Sequence, residues 1–241
     1  MVKFIQNPKS KIQNLPSHVA IIMDGNRRWA RAHHLPVIAG HKKVVEGRVE
    51  ELIDHAGHLG IPYITFWAFS TENWGRQPEE VRGVMGLFRL ALAKYAERMI
   101  KKGARLKVIG DMSRFDQDIR EGVEKFVKKS EKNTAITVTF ALNYGGRDEI
   151  MRGIHRLIEK GEYMDSPLQV NDLGKYLDTA GMPDPDLIIR TGGEQRLSGF
   201  MLWQAEYSEL YFTQTLMPDF GTKELDKALV EYARRERRRG K

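Results

Sequence analysis

Six short runs of apolar and β-branched residues alternate with longer stretches of helical periodicity, and this alternation constrains the fold more than any other feature. The runs are His18–Asp24, Tyr63–Phe69, Ala104–Gly110, Ala135–Asn143, Asp186–Arg190 and Glu209–Thr213. The helical stretches lie near Lys42–His58, Glu79–Lys102, Phe115–Lys132, Arg147–Glu159, Val170–Thr179 and Thr222–Arg238. Strands that alternate with helices form βαβ units, in which the strands run parallel. The sequence therefore predicts an α/β fold with a mostly parallel, six-stranded sheet flanked by helices.

The length of the chain and the absence of a linker indicate a single domain. Its 241 residues can enclose one sizeable core. We expect residues 1–15, which are polar and lysine-bearing, to form a flexible leader, and residues 16–241 to form the folded domain. The leader lacks the apolar stretch of a secretory signal, and no run approaches the roughly 18 apolar residues that span a bilayer. The absence of cysteine excludes disulfides and thiolate metal sites and fits a cytoplasmic protein.

The net charge of +7 predicts an anionic partner. Phosphate-bearing ligands, an anionic membrane surface and nucleic acid all fit such a charge. Much of the charge lies in residues 234–241, where it also suits a helix end that complements the helix dipole. We favour this second interpretation for most of those side chains.

The most informative candidate site follows the first predicted strand. Val19–Met23 are five apolar residues without a polar break, as in strands that are buried on both faces, and the chain then turns at Asp24. A carboxylate at this position can hold a divalent metal, and the basic helical segment after it, with Arg27 and Arg28, can hold phosphate oxygens. The turn could therefore bind a metal-diphosphate. A helix cap of Asp or Asn with solvated arginines fits the same residues equally well.

Polar groups follow several of the predicted strands. The segments in question are Asp24–Arg28, Ser70–Arg76, Tyr144–Arg147 and Thr191–Ser198. Because ligands bind at the carboxyl ends of parallel strands, we expect these segments to meet at one edge of the sheet. A glycine-bearing loop with Arg190 and Arg196 suits a diphosphate. Taken singly, each group also fits an ordinary turn or surface position, Trp67 and Trp74 fit core or lid packing, and His41 fits a helix start.

One stretch carries an apolar stripe that suits either a core or a cavity wall. The positions that share a helix face are Val81, Val84, Met85, Phe88, Leu92, Tyr95 and Met99. The pattern alone favours packing against the core, because most such stripes do only that. Motifs of other enzymes are absent: there is no Walker-type loop, no G-x-S-x-G elbow, no H-E-x-x-H pattern and no DDxxD element.

Five long motifs, in one order, carry a specific resemblance. They are HVAIIMDGNRRWA, AGH at Ala39–His41, ITFWAFSTENWGR, ALNYGGRDEI and PDLIIRTGGEQRLSGFMLWQAEYSELYF. Through them the chain resembles the cis-prenyltransferases, the family of undecaprenyl diphosphate synthase, from about His18 to its C-terminus. The resemblance implies a homodimer, a hydrophobic tunnel and Mg²⁺. It implies repeated cis condensation of isopentenyl diphosphate onto an allylic diphosphate, typically farnesyl diphosphate, to give a polyprenyl diphosphate, with an undecaprenyl-type carrier lipid precursor as the expected product.

The resemblance also assigns roles to residues at matching positions. Asp24 matches an essential aspartate that engages magnesium and the allylic diphosphate, and we expect it to act in catalysis with Asn73. The residues expected to bind substrate are Gly25, Asn26, Arg27, Arg28, Trp29, His41, Phe69, Ser70, Thr71, Glu72, Trp74, Arg76, Arg190, Arg196 and Ser198. The last three match the isopentenyl diphosphate site. Glu209 matches a metal-associated carboxylate near a dimer interface, and Arg238-Arg239-Gly240 resembles an R-x-G element that reaches a neighbouring subunit.

Two departures from the family pattern bear on phosphate binding. Val37 stands where many members have an arginine that binds the allylic diphosphate, and Arg27 stands where bacterial members often have glycine. Our hypothesis is that Arg27 supplies the missing guanidinium. Gly199 replaces a common asparagine.

Two rival functions fit parts of the sequence. An inactive partner subunit of a two-component enzyme would have the same fold, but the retained Asp24, Arg190 and Arg196 argue against it. A basic nucleic-acid-binding protein would need clustered cations with exposed aromatics, whereas acidic residues are interleaved here, so we expect no nucleic acid partner. We expect a cytoplasmic protein with transient peripheral contact at the inner membrane surface. The product length, the primer and the proton acceptor stay open.

Overall fold

All six predicted runs form strands of one sheet. The computed structural model describes residue 12, residues 14–161 and residues 169–235. The strands are β1 (His18–Ile22), β2 (Tyr63–Ser70), β3 (Ala104–Ile109), β4 (Ile136–Tyr144), β5 (Leu187–Arg190) and β6 (Glu209–Phe212). Their order is β3-β4-β2-β1-β5-β6, and every pairing between neighbours is parallel. The sheet of the described chain is thus wholly parallel rather than mostly so.

Helices connect the strands, as the periodicity predicts. They are α1 (Asn26–Ala32), α2 (Ile38–Lys43), α3 (Val49–Leu59), α4 (Pro78–Ala91), α5 (Glu97–Lys101), α6 (Gln117–Ser130), α7 (Gly146–Lys160), α8 (Val170–Gly174) and α9 (Thr222–Arg234). A π-helical turn, Val44–Arg48, joins α2 to α3, and a second, Leu92–Ala96, joins α4 to α5. In the described part of the chain, no helix is long and apolar enough to cross a membrane.

Two predicted helices end earlier than their patterns indicate. The stretch Val170–Thr179 is helical only to Gly174, because ionic contacts of Asp178 with Arg152 and Arg156 tie the following turn to α7. The stretch that begins at Thr222 leaves the helix after Arg234. Most of the predicted leader, and the closing Arg238-Arg239-Gly240, lie outside the described residues.

The position of β1 in the sheet determines where a site can form. All five residues of β1 are buried, with Val19 and Ile21 in one apolar cluster and Ala20 and Ile22 in another. This alternation fits a strand that is covered on both faces. β1 pairs with β2 on one side and with β5 on the other, so the strand order changes direction there. Ligands of open parallel sheets bind at such a switch point.

Candidate active site

The carboxylate of Asp24 lies directly after β1, between two arginines. Its Oδ2 atom accepts a hydrogen bond from Nη2 of Arg190 at 2.9 Å, and its Oδ1 atom lies 3.3 Å from Nη2 of Arg28. The backbone N–H of Gly25 donates to Oδ1 at 2.6 Å. The side chain of Asp24 is 30% exposed. The carboxylate is therefore fixed in position and still open to a ligand.

The turn after β1 is not the side-chain helix cap that the sequence left open. The N-cap of α1 is Gly25, and no side chain caps this helix. Gly25 has φ +100°, and a β carbon there would lie 2.8 Å from Cδ2 of Leu216. The amide of Asn26 donates back to the carbonyl of Met23 at 2.8 Å. A tight turn that needs glycine thus presents Asp24, while the half-exposed Arg28 faces the same cleft.

Thr191, which the sequence predicts only as the start of a polar segment and not as a site residue, holds the backbone of this turn. Its Oγ1 atom accepts from the N–H of Asp24 at 2.9 Å and lies 2.7 Å from the carbonyl oxygen of the same residue, to which it donates. Thr191 is fully buried. The next residue, Gly192, has φ +87°, and a β carbon there would lie 2.6 Å from Nη2 of Arg28. The glycine allows the loop after β5 to approach the turn after β1.

Arg190 connects Asp24 to the loop after β5. Its side chain is 7% exposed, and its Nη1 atom donates to the carbonyl of Arg196 at 2.5 Å and to Oγ of Ser198 at 2.7 Å. The guanidinium of Arg196 is instead exposed and pairs with Glu194. In the described chain the structure thus brings Arg190 and Ser198 to Asp24, whereas Arg196 takes part in this network through its backbone; their assignment to isopentenyl diphosphate stays a prediction.

A second group of basic side chains surrounds Glu80, which the sequence analysis also missed. Glu80 Oε1 lies 3.0 Å from Nη1 of Arg76 and 4.0 Å from Nε2 of His41, and its Oε2 lies 3.7 Å from Nε of Arg27. The carboxylate is 9% exposed. The sequence offers no signal for its role, because Glu80 and Glu79 both stand in the first turn of α4.

His41 is held neutral within this group. Burial, with the nearby charges of Arg76 and Arg27, lowers the pKa of His41 to about 4. Its Nε2 atom is buried and finds no hydrogen-bond partner among the described residues. Burial also lowers the pKa of Arg76, and Glu80 opposes this shift. The close approach of α2 to α1 needs Gly40, where a β carbon would lie 2.1 Å from the carbonyl oxygen of Asn26.

The segment after β2 forms a 3₁₀ turn, Thr71–Gly75. Ser70 and Asn73 form a reciprocal capping box, in which the N–H of Ser70 donates to Oδ1 of Asn73 at 3.1 Å. Although burial acts to raise the pKa of Glu72, hydrogen bonds from its own backbone and from two neighbouring hydroxyls hold it below its usual value. Trp74 turns away, and its Nε1 atom donates to Oδ1 of Asn143 at 2.9 Å. This turn is therefore anchored at both ends.

Most of the predicted site residues line one cleft of about 670 Å³. Those that line it are Asp24, Gly25, Asn26, Arg27, Arg28, His41, Phe69, Ser70, Glu72, Asn73, Arg76, Arg190 and Ser198. Four other predicted site residues do not line this cleft of the described chain: Trp29, Thr71, Trp74 and Arg196. The indole of Trp29 donates to Asp219 at 3.0 Å and stacks on His33, so it supports α1 rather than the cleft.

Glu209 lies away from this cleft in the described chain. It is the first residue of β6 and pairs with Leu187, whereas Arg190 pairs with Phe212 at the other end of the same ladder. Three residues of strand separate Glu209 from the cleft end by about 10 Å. Its carboxylate accepts from Nη1 of Arg235 at 2.8 Å. A metal role for Glu209 stays a prediction. Within the described chain, Glu209 and Asp24 do not form one shared metal site.

A second, apolar cavity of about 130 Å³ adjoins the cleft between the sheet and the helices. Five residues line both spaces: Met23, Val44, Val45, Ala68 and Phe88. From the predicted apolar stripe, Val84, Phe88, Leu92, Tyr95 and Met99 line one space or both. Val84 and Met99 are also buried members of apolar core clusters, and Phe88, Leu92 and Tyr95 pack against such clusters, so the core packing that the pattern favoured is present and the same face also forms a cavity wall. Periodicity shows which face is apolar, but it cannot show whether a side chain or a ligand covers that face.

The donor set around Asp24 fits magnesium that arrives with a diphosphate. Within the described residues, no group of three or more His, Asp or Glu side chains could hold a metal ion alone. Besides Asp24, the cleft offers Oδ1 of Asn26, a buried oxygen without a hydrogen-bond donor. Mg²⁺ commonly binds through one or two carboxylates together with substrate phosphates and water. The site thus lacks a complete protein cage but has the oxygens that such a shared site needs.

Comparison with known protein families gives one match across nearly the whole chain. The family model described as "Putative undecaprenyl diphosphate synthase" matches residues 22–240. Among curated proteins, an isoprenyl transferase of Zymomonas mobilis is 47% identical over 236 residues, which cover 97% of this chain and 95% of that protein. An isoprenyl transferase of Neisseria meningitidis is 45% identical over 227 residues, which cover 94% of this chain and 90% of that protein.

Two solved structures share the fold at 34% identity. Lavandulyl diphosphate synthase from Lavandula x intermedia, in complex with dimethylallyl diphosphate, matches with a TM-score of 0.89 over 94% of this chain and 99% of its own. A probable undecaprenyl diphosphate synthase from Campylobacter jejuni matches with a TM-score of 0.78 over 95% of this chain and 100% of its own.

Proposed function

Since this chain belongs to the undecaprenyl diphosphate synthase family of prenyltransferases, we propose that it lengthens farnesyl diphosphate by successive cis condensations with isopentenyl diphosphate. The proposed product is an undecaprenyl-type polyprenyl diphosphate, the precursor of a carrier lipid. The main support is that the charged cleft around Asp24 and the apolar cavity are neighbours that share five lining residues. A substrate with a diphosphate head and a growing isoprenoid tail needs these two environments side by side.

The charged groups of the cleft suit the ionisation of an allylic diphosphate. The bond between the allylic carbon and the diphosphate oxygen breaks, a carbon–carbon bond forms to isopentenyl diphosphate, and that substrate loses a proton. Arg28 and Arg76 stabilise the negative charge that develops on the departing diphosphate. Neutral His41 offers the same oxygens a hydrogen bond rather than a charge. The apolar cavity keeps water from the cationic allylic fragment.

In this proposal, isopentenyl diphosphate binds on the side of Asp24 where Arg190 and Ser198 lie. Arg190 and Ser198 face the cleft there, and Arg196 is free to swing inward from the surface by breaking its exposed pair with Glu194. Asp24 then stands between the two diphosphates. A magnesium ion held by Asp24 and substrate phosphates would neutralise charge on the leaving group.

The quaternary and cellular parts of the proposal extend beyond this cleft. We propose a homodimer, in which Arg238-Arg239-Gly240 of one copy contributes to the phosphate site of the other. A cytoplasmic location with transient contact at the inner membrane surface suits an enzyme whose product is a lipid. Nucleic acid is not a proposed partner.

A single condensation that gives a short product is the second candidate. The apolar cavity, at about 130 Å³, is small beside the cleft of about 670 Å³. The similar lavandulyl diphosphate synthase structure contains dimethylallyl diphosphate, a five-carbon substrate. Elongation by this chain therefore requires that the cavity widen as the product grows.

Incorporation of labelled isopentenyl diphosphate into extractable lipid tests the proposed function. The purified protein is incubated with farnesyl diphosphate, with and without magnesium, beside an Asp24→Asn variant and a control Asp172→Asn variant in the first turn of α8, away from the cleft. We expect magnesium-dependent incorporation that the Asp24 change lowers by about a hundredfold or more. No incorporation with farnesyl, geranyl or dimethylallyl diphosphate would contradict the proposal.

A further inference from the structure

We propose that Glu80 is a positioning residue, which holds Arg76 and Arg27 in the orientation that the allylic diphosphate needs. This inference rests on the proposed function. Glu80 is not among the described residues that line the cleft, whereas its partners Arg76 and Arg27 are. It therefore acts on the substrate through those two arginines.

The contacts of Glu80 join three separate segments of the chain. Arg76 follows the 3₁₀ turn after β2, Arg27 lies on α1, and His41 lies on α2. Glu80 Oε1 lies 3.0 Å from the Arg76 guanidinium, and Glu80 Oε2 lies 3.7 Å from that of Arg27. The carboxylate is thus the point at which the two guanidiniums meet, and it is the nearly buried member of each pair.

A carboxylate so close to an anion site requires a reason, because its charge opposes the binding of a diphosphate. Two unpartnered guanidiniums would repel each other and move apart toward water. A carboxylate between them offsets that repulsion and fixes the direction of both. Preorganised donors need no rearrangement when negative charge develops on the leaving group, so their main effect is on turnover.

This role also accounts for the combination of Arg27 and Val37 in this chain. In the family pattern that this chain resembles, bacterial members often have a glycine at the position of Arg27 and many members have an arginine at the position of Val37. A guanidinium introduced on α1 helps only if it points to the phosphate rather than to solvent. Arg27 is 46% exposed, and among the described residues Glu80 is the acidic partner that holds it at the cleft.

Glu79→Gln is the matched control for Glu80→Gln. Both residues stand in the first turn of α4, and both variants remove one negative charge. Glu79 is 74% exposed, pairs with Arg82 at 2.8 Å and does not contact the cleft. A difference between the two variants therefore reports on the contacts of Glu80, and not on net charge or on the helix dipole.

A double-mutant cycle on turnover tests the proposal. Glu80→Gln, Arg76→Gln and the double variant are compared by kcat and KM for farnesyl diphosphate, and their folding is checked by thermal unfolding. We expect Glu80→Gln to lower kcat about tenfold, with little further loss in the Arg76→Gln background. Inorganic diphosphate, titrated by calorimetry, should bind the Glu80→Gln protein about as tightly as the unmodified protein, because the loss of one opposing charge offsets the looser hold on Arg27 and Arg76.

The outcomes distinguish this inference from the proposed function. A Glu80→Gln protein with the same kcat as Glu79→Gln, or losses that simply add in the double variant, would overturn the positioning role. An unmodified protein without turnover would instead overturn the proposed function. If Glu80→Gln does not fold, Glu80→Asp takes its place in the cycle. This variant keeps the charge but withdraws the carboxylate from Arg76. Equal kcat and KM values for Glu80→Asp and the unmodified protein would also overturn the positioning role.

Discussion

The Nη2 atom of Arg190 donates to Oδ2 of Asp24 at 2.9 Å and so joins the carboxyl ends of two adjacent strands. The residues lie 166 positions apart in the sequence. The pair lies between the arginines on the α1 side of the cleft and the loop that carries Ser198. One ion pair therefore connects the regions that we assign to the two diphosphates.

Replacement of Arg190 by lysine should weaken the binding of isopentenyl diphosphate at the loop after β5. Lysine keeps the charge, but a single ammonium group cannot reach Asp24, Ser198 and the carbonyl of Arg196 in the planar geometry of a guanidinium. We expect KM for isopentenyl diphosphate to rise about tenfold or more, with a smaller change for farnesyl diphosphate. Steady-state kinetics with each substrate varied in turn measures this. Equal effects on both KM values would contradict the assignment of Arg190 to isopentenyl diphosphate.

Arg27 should carry part of the affinity for the allylic diphosphate. Arg27→Gly should raise KM for farnesyl diphosphate about fivefold to tenfold, and Val37→Arg in the same background should recover most of that loss. Arg27→Gln separates the guanidinium from the cost of glycine in a helix, which is about 1 kcal/mol. Calorimetric titration of inorganic diphosphate gives a second reading. If neither Arg27→Gly nor Val37→Arg changes the affinity, the compensation hypothesis fails.

A bulky side chain at the junction of the two cavities should shorten the product. Val45 lines both the cleft and the apolar cavity, whereas the next residue, Glu46, lines neither and is 41% exposed. Val45→Trp should allow the first condensation but block further growth, because the indole fills the passage. Glu46→Trp is the matched control and should leave the product length unchanged. Unaltered products from Val45→Trp would show that the chain grows along another route.

Acid should weaken the fold through His18. Its Nδ1 atom lies 2.8 Å from the carbonyl of Pro183 and its Nε2 atom 2.8 Å from the Thr65 hydroxyl. Burial lowers the pKa of His18 from 6.5 to about 4, and the contacts with Pro183 and Asp186 oppose this shift only in part. Between these values the unfolded chain binds a proton that the folded chain does not. Stability is therefore full above pH 6.5 and falls as the pH drops toward 4.

Urea unfolding at two pH values measures this contribution. A change from about pH 7.5 to about pH 5 should lower the free energy of unfolding by about 2 kcal/mol through His18. The same change should lower the free energy of unfolding of His18→Asn by correspondingly less. His34→Asn, at an exposed position with φ +54° that suits asparagine, is the control and should behave as the unmodified protein does. An identical pH slope for all three proteins would contradict the buried neutral state of His18.

The fold was predictable because its signals are local. Each strand is a short apolar run, and each connection is a helix with one apolar face, so alternation alone indicates a parallel sheet. The predicted helix Val170–Thr179 forms but ends early, at Gly174, for a non-local reason: Asp178 is held by arginines of α7, and nothing near it in sequence reveals that contact. The order of the strands also depends on contacts that are distant in sequence.

The site was predictable where a residue type is rare at its position, as with Asp24 after a buried strand. Thr191 and Glu80 were missed because a threonine after a strand and a glutamate in a first helical turn are ordinary there. Their roles arise from partners on other segments: the backbone of Asp24 for Thr191, and Arg27 and Arg76 for Glu80. Glu209 shows the converse, since its motif matches but its strand end faces away from the cleft.

The length of the product made from farnesyl diphosphate and labelled isopentenyl diphosphate tests the central claim most directly. Aliquots from one reaction are dephosphorylated and separated by chain length over time. If the cleft drives repeated condensation into the apolar cavity, a ladder of intermediates should give way to long polyprenyl products, and Asp24→Asn should abolish the whole ladder. A single product, one isoprene unit longer than the primer and unchanged with time, would contradict chain elongation.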